Sequence, residues 1–348
     1  MKRVTVAFAI GMLAASLSAQ QQTEPKNVQV LKGLTPGQLI RTMQFIAASL
    51  GVNCDFCHVI KSPTDRDFAS DDKEEKRTAR EMMHLVIDTN AKFFHERPMV
   101  SCVTCHRGST EPLSVPVLPV ALPPQRPEAP AQAASPRPSR DEIVAKYAKA
   151  LGNIDEKALA TMEMKGTRET SRGSGPFVVV IAPGKVRATA TIPEGEMVNV
   201  VNGSQGWIRD QRGTQAMQAL QVETMNLTLD AYRLTLPSEI PAEARVGKDK
   251  AGNKDAWVIT MPFGTNGTQR LYFDTQSGLL VRRLRLTRVP IGQIPQQTDF
   301  DDYRDVGGMK LPFVVRVDTI DPRGGATRRY SEIKLNAKVD DSLFAEPK

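Results

Sequence analysis

Two short runs hold all four cysteines of the chain and two of its four histidines. They are Cys54-Asp55-Phe56-Cys57-His58 and Cys102-Val103-Thr104-Cys105-His106. Each is a C-x-x-C-H run, the signature of covalent c-type haem attachment. Two thiols separated by two residues span the two vinyl groups of a porphyrin and form thioethers. The adjacent histidine then lies under the ring, where an imidazole nitrogen can ligate iron. The expected cofactor is therefore two covalently bound haem c groups. They would be attached through Cys54, Cys57, Cys102 and Cys105, with His58 and His106 as proximal iron ligands. The competing chemistries are a zinc site and a redox dithiol. A four-cysteine zinc site usually wants its pairs closer than the 44 residues between Cys57 and Cys102. A dithiol pair wants a βαβ setting, for which no pattern is present.

Helices must hold these runs. Thr35 is an N-cap, Pro36 suits the first helical position, and Gln38 completes a capping box. Leu39, Met43, Ile46 and Leu50 then recur on one face until Gly51 stops the helix. The chain reaches Cys54 within three residues of that stop, which could lay the helix over the open face of the first haem. Met43 sulfur is the expected distal ligand opposite His58. A second helix is expected from Asp71, with Glu74 completing a capping box. Its apolar face collects Ala79, Met82, Met83, Val86, Phe93 and Phe94, while His84 points away. Met82 or Met83 could then lie opposite His106, and periodicity does not choose between them. His95 and Met99 are rivals. Met99 is too close to Cys102 to cross the ring, and His95 sits near a helix end facing solvent. Methionine is also a common core filler, which is the bland reading of each.

The 348 residues suggest about two domains, with 40% hydrophobic and 24% charged side chains. Lys2 and Arg3, the apolar run Val4–Leu17 and Ala19 read as a secretory signal over residues 1–19, cleaved near Ala19. The apolar run is short for a membrane span. Export is consistent with haem attachment outside the cytoplasm, so a periplasmic or otherwise exported protein is expected. No cysteine remains for a disulfide. The net charge of +7 is mild, and nothing argues for nucleic acid.

Residues 24–111, the expected haem domain, also carry a resemblance. The stretches MQFIAASLGVNCDFCHV, DFASDDKEEKRTAREM and CVTCHRG resemble the photosynthetic reaction centre cytochrome c subunit and its stand-alone relatives. A Met-bearing helix, a turn and C-x-x-C-H make that family's haem unit. The resemblance implies Met43 as one distal ligand. It selects Met82, the methionine in the family's place, as the other. The full subunit has four haem sites where this chain has two, and it is often lipid-anchored through a cysteine that this chain lacks.

Residues 112–138 form a Pro/Ala-rich linker. Nine of the chain's 24 prolines fall between residues 111 and 138, a composition that favours extended polyproline II over a core. Residues 139–348 change pattern again. Asp141–Leu151 reads as an amphipathic helix stopped by Gly152. Strands are expected at Phe177–Ala182, Val186–Ile192, Met197–Val201, Ala256–Met261, Gln269–Phe273, Leu279–Thr287, Leu311–Thr319 and Thr327–Leu335. Thr214–Leu236 has helical character. Leu284 and Leu286 alternate with Arg283 and Arg285, so that strand should have one wet face. LYFDTQSGLLVRR and DFDDYRDVGGMKLPFVVRV resemble the lipoprotein-carrier (Lol-type) fold, a half-open barrel. That likeness implies an apolar groove.

The expected fold is therefore multidomain: a mainly α dihaem cytochrome c domain, then an α+β domain with a curved antiparallel half-barrel sheet. The expected function is electron transfer between redox donor and acceptor proteins of the envelope, with membrane association through those partners. No catalytic residues are expected. The alternatives are an envelope protein binding an apolar ligand such as a lipid or quinone in its C-terminal domain, and a haem peroxidase with an open iron position.

Overall fold

Local signals build the N-terminal helices. Helix α1 (Pro36–Leu50) begins at Thr35, whose side chain accepts from Gln38 N while the Gln38 side chain accepts from the Thr35 backbone. It ends at Gly51 with φ 69°, a left-handed conformation that glycine adopts without strain. Helix α2 (Glu74–Phe94) starts three residues later than Asp71 suggests, with Lys73 as its N-cap. Asp71 does not cap it. Its carboxylate takes Lys76 at 3.0 Å, Arg80 at 2.8 Å and the Asn27 side-chain amide at 2.9 Å. A one-turn helix α3 (Cys102–Cys105) carries the second motif, and β1 (Val59–Ile60) pairs with β2 (Arg66–Asp67) just after the first.

The structure is a computed structural model describing residues 25–62, 64–115, 137–218, 221–222, 225–226 and 233–348. The expected signal and most of the expected linker lie outside the described residues. Among the described residues, no helix is long and apolar enough to cross a membrane.

Beyond α4 (Arg140–Leu151), thirteen strands form one antiparallel sheet. A first meander runs outward through β3 (Met162–Thr170), β4 (Gly173–Ala182), β5 (Lys185–Ile192), β6 (Gly195–Asn202), β7 (Gln205–Asp210) and β8 (Gly213–Ala216). A second starts at the opposite edge with β9 (Arg245–Ala251). It works back through β10 (Lys254–Phe263), β11 (Gly267–Asp274), β12 (Leu280–Val289), β13 (Gly292–Val306), β14 (Met309–Thr319) and β15 (Ala326–Leu335). The two meanders join where β15 pairs with β3, and the edges β8 and β9 do not meet. The sheet is open and curved, and one core cluster runs from Val201 of β6 to Ile259 of β10 and takes in Tyr147 and Leu151 of α4. Tyr147 is fully buried; its hydroxyl donates to Thr235 O at 2.8 Å and its ring packs 4.9 Å from that of Phe273.

All eight expected strands lie within observed ones, give or take a residue at Leu279. The long β13 was not among them. Its sequence, GQIPQQTDFDDYRDV, alternates in burial but not in hydrophobicity, since Gly292 and Thr298 stand at buried positions beside Ile294 and Phe300. The wet-face reading of β12 is corrected: Arg283 and Arg285 are the buried side chains, and Leu284 and Leu286 are half-buried. Inside the sheet, Arg285 Nε donates to Gln269 Oε1 at 2.7 Å and its guanidinium lies over the Phe263 ring. Arg283 donates to Arg233 O at 3.1 Å and lies over the Phe300 ring. The helical reading of Thr214–Leu236 fails at its start, which is β8. Gln221, Val222, Met225 and Asn226 are helical, and residues 219–220, 223–224 and 227–232 lie outside the described residues.

The two parts share a core. Leu31, Phe45, Ile46, Met83 and Val86 cluster with Val289, Ile291 and Ile294 from the β12–β13 hairpin. Burying each such side chain contributes about 1.5–3 kcal/mol.

Candidate haem-attachment sites

The first motif begins in a 3₁₀ turn, Cys54–Phe56, four residues past Leu50 at the end of α1. The segment that follows it is wrapped on the ammonium of Lys76, a buried lysine near the start of α2. Lys76 Nζ donates to the carbonyls of Phe68 (3.1 Å), Ala69 (3.0 Å) and Ser70 (2.6 Å). This fixes Phe68 O, which lies 3.2 Å from His58 Nδ1. A carbonyl can only accept, so Nδ1 carries the proton and Nε2 keeps its lone pair. Phe68 also meets the His58 ring edge-on at 5.2 Å. Burial, then the Lys76 cation, pushes the His58 imidazole below its ordinary pKa, which favours the neutral ring that binds metal.

The second motif repeats this arrangement with different parts. His106 Nδ1 lies 3.0 Å from Ser109 O, which again leaves Nε2 free to ligate. Asn90, buried on α2, donates to Val100 O at 2.7 Å and accepts from Met99 N at 3.0 Å and Val100 N at 2.9 Å. These three bonds fasten the approach to Cys102 onto α2. After the motif, Arg107 and Gly108 take positive φ, and Gly108 N donates to Ser49 O at 2.8 Å. The end of α1 therefore touches both motifs: it leads into the first and is docked on the second.

None of the four cysteines is joined to another in a disulfide. Burial pushes the thiols of Cys57 and Cys102 above their ordinary pKa. Among the described residues, no three side chains of His, Cys, Asp or Glu lie close enough together to hold a metal ion.

The methionines stand at the margin of the core. On α2 the buried side chains are Lys76, Met83, Val86 and Asn90. Met82, Leu85 and Phe93 flank that stripe and are exposed, Met82 by 41% against 8% for Met83. The apolar face expected on this helix is thus split: one half enters the core, the other faces outward. On α1, Phe45 and Ile46 are buried, Met43 is half-buried against the same core, and Ile40 is exposed. Each helix presents a methionine where buried packing gives way to exposed apolar surface. His84, His95 and Met99 are exposed.

That exposed surface provides a test of fit for haem. Of the ten large hydrophobic side chains exposed among the described residues, nine lie between Ile40 and Val115, and only Leu343 belongs to the β domain. A soluble surface seldom concentrates apolar side chains in this way unless something covers them. Flat apolar rings tethered at Cys54/Cys57 and Cys102/Cys105 would do so. The residues present fit the group.

Residues 8–143 match the family model described as photosynthetic reaction centre cytochrome C subunit. The N-terminal part of the chain resembles that family. A cytochrome c-554 of Chloroflexus aurantiacus is 38% identical over 111 residues, covering 30% of this chain and 26% of the relative. The photosynthetic reaction center cytochrome c subunit of Thermochromatium tepidum is 38% identical over 107 residues, covering 28% of this chain and 25% of the relative. The chain thus spans about a quarter of the length of these relatives. Among solved structures, a LolA superfamily protein of Nitrosomonas europaea aligns with TM-score 0.38 and 13% identity, covering 60% of this chain and 98% of that one. A DUF1329 family protein of Desulfovibrio piger gives TM-score 0.36 and 9% identity, covering 58% and 94%. Both scores are too low to carry an argument.

The sequence alone pointed to the cysteines, histidines and methionines. It did not point to Lys76, Asn90 and the carbonyls of Phe68 and Ser109. Backbone acceptors leave no mark in a sequence, and a lysine or asparagine within a polar helix reads as surface.

Proposed function

We propose that this protein is an exported dihaem c-type cytochrome that carries electrons between redox partners of the cell envelope. Bound haem c supplies one-electron ferric/ferrous chemistry. Cys54 and Cys57 anchor the first group, and Cys102 and Cys105 the second. His58 and His106 present Nε2 to iron, each oriented by a carbonyl on Nδ1. Met43 and Met82 supply the distal sulfurs. Thioether ligation favours the reduced state and raises the potential. The buried partners of these residues hold them in place in both oxidation states, which keeps the rearrangement on electron transfer small. Redox donor and acceptor proteins are the expected partners.

The observation that carries this reading is the repeated C-x-x-C-H with each histidine's Nδ1 held by a backbone carbonyl. It is supported by the match to the cytochrome family and by the apolar surface around both motifs. The test is spectroelectrochemistry of the purified protein with Met43→Ala and Met82→Ala. Each variant should abolish ligand-sensitive absorption at one haem and lower one midpoint potential. Unchanged spectra in both would remove the methionine assignment. Carbon monoxide binding by the ferrous wild type would indicate an open iron position and favour a peroxidase instead.

A second reading rests on a cavity of about 140 Å³ between the sheet and residues 233–239, with Met162, Met164 and Phe300 in its wall and Glu156, Arg233 and Glu239 beside them. A cavity of roughly 150 Å³ holds a benzene-sized ring, so this one suits a ring or short chain rather than a whole lipid. Native mass spectrometry of the purified protein tests it; a chain without an apolar adduct argues against this reading.

A further inference from the structure

The tip of a two-residue β-hairpin normally faces water. In the β12–β13 turn Pro290 does so, but its neighbour does the opposite. Ile291, in the turn itself, is 0% exposed, and Val289 and Ile294 beside it are buried with it. What covers them is the N-terminal part: Phe45 and Ile46 of α1, and Met83 and Val86 of α2. Half-buried Met43 and Cys102 pack against the same cluster. Gly292 approaches so closely that an added Cβ would lie 3.0 Å from Ser101 Cβ and 3.2 Å from the Phe45 ring. Ser101 is the N-cap of α3, the residue before Cys102.

The edges of the contact are pinned by polar bonds. Arg288 Nη2 donates to Glu96 O, just past the end of α2. Asn266 Nδ2 donates to Arg288 O at 3.0 Å, and Arg288 N to Asn266 O at 3.1 Å. On the other side, Gln44 of α1 donates to Asp321 Oδ2 at 3.2 Å, from the loop after β14. The hairpin is therefore not a neighbour resting on a finished helical domain. It supplies three of the eight buried side chains of this core, Val289, Ile291 and Ile294.

We propose that the hairpin tip, through Ile291 and Gly292, is a positioning element for haem ligation: it sets α3, which bears Cys102, Cys105 and His106, against α1 and α2. The β domain thereby fixes the second iron site from outside the haem-bearing segment. This rests on the dihaem reading above. Ile291 touches the helix cores and no ligand atom is assigned to it, so it acts through Phe45, Met83 and the Ser101–Cys102 backbone.

The experiment uses the full chain, matured with haem, as Ile291→Ala, Ile291→Val and Val200→Ala. Val200 is buried in a separate cluster with Val180, Val198 and Phe344, so its truncation controls for loss of stability alone. Ile291→Ala should retain two haems by mass. One midpoint potential should move by at least a tenfold change in the one-electron equilibrium, about 59 mV, and the methionine-to-iron absorption of that haem should weaken. The other haem serves as the internal reference. Ile291→Val should shift the same potential by less, and Val200→Ala should lower Tm without moving either potential. If Ile291→Ala does not fold, Ile291→Val takes its place and must show a smaller shift of the same haem. Unmoved potentials and spectra in the folded Ile291 variants would overturn the proposal. A wild-type protein without covalent haem would overturn the dihaem reading itself, a separate outcome.

Discussion

Met82 and Met83 stand side by side on α2, and truncating each should have opposite consequences. Met83 is in the shared core with Phe45, Val86 and Ile291. Removing a buried side chain of this size costs about 2–5 kcal/mol, the transfer term plus the cavity left behind. For a unit of this size that lowers Tm by on the order of 10 °C. Met82 is largely outside the core, and a substitution there should change the stability of the haem-free chain by no more than about 0.5 kcal/mol. Ligation reverses the order. Met82→Ala should remove one distal sulfur, open one ferrous haem to carbon monoxide and lower one potential. Met83→Ala should retain methionine ligation at both haems while melting earlier. The assay pairs thermal denaturation with a redox titration on each variant. A Met83→Ala protein that loses methionine ligation, or a Met82→Ala protein that keeps it, would refute the assignment from burial.

Three further perturbations address the scaffold. Hydrogen bonding from Arg80, then from Asn27 and Lys76, holds the Asp71 carboxyl well below the usual carboxylate range. Because the folded-state pKa is depressed, its stabilisation is present above the ordinary carboxylate pKa of about 4 and is lost as pH falls through the folded value; Asp71→Asn should therefore be less stable at neutral pH and flatter in its acid unfolding curve, as read by circular dichroism. Asn90→Ala strands the N–H and carbonyl of Val100 beside the second motif, while Met99 N keeps its bond to Arg97 O at 2.8 Å; at about 1–3 kcal/mol for each unsatisfied group, it should cost roughly 2 kcal/mol or more in denaturant titration. Gly51→Ala puts a Cβ 2.2 Å from Gly108 O at a φ of +69°; it should destabilise the contact between the two motifs and lower haem occupancy, measured by absorbance per protein.

How much of this was legible in the sequence depended on how local each cause was. Thr35, Pro36, Gln38 and Gly51 define α1 within one stretch of chain, and the structure reproduces that helix. Ser139 and Glu142 cap α4 in the same way. The start of α2 was misread because Asp71, a good cap by type, is taken by Arg80, Lys76 and Asn27. The arginines of β12 looked like a solvated face, and their partners Gln269 and Phe263 lie on other strands. Nothing local in the sequence marks Ile291 as buried, because what covers it is a pair of helices more than 200 residues earlier in the chain. The chemistry at the motifs was legible because haem attachment needs its residues contiguous. The second layer, Lys76, Asn90 and two carbonyls, was not, because it is assembled from segments that meet only in the folded chain.

The central claim is that two porphyrins are bonded to this chain through sulfur, and intact-protein mass spectrometry tests it most directly. Protein from cells competent in cytochrome maturation should carry two covalent haem adducts. Cys54→Ser/Cys57→Ser should carry one, and Cys102→Ser/Cys105→Ser the other. A wild-type chain with no adduct, or a pair of variants that both retain two, would contradict the account.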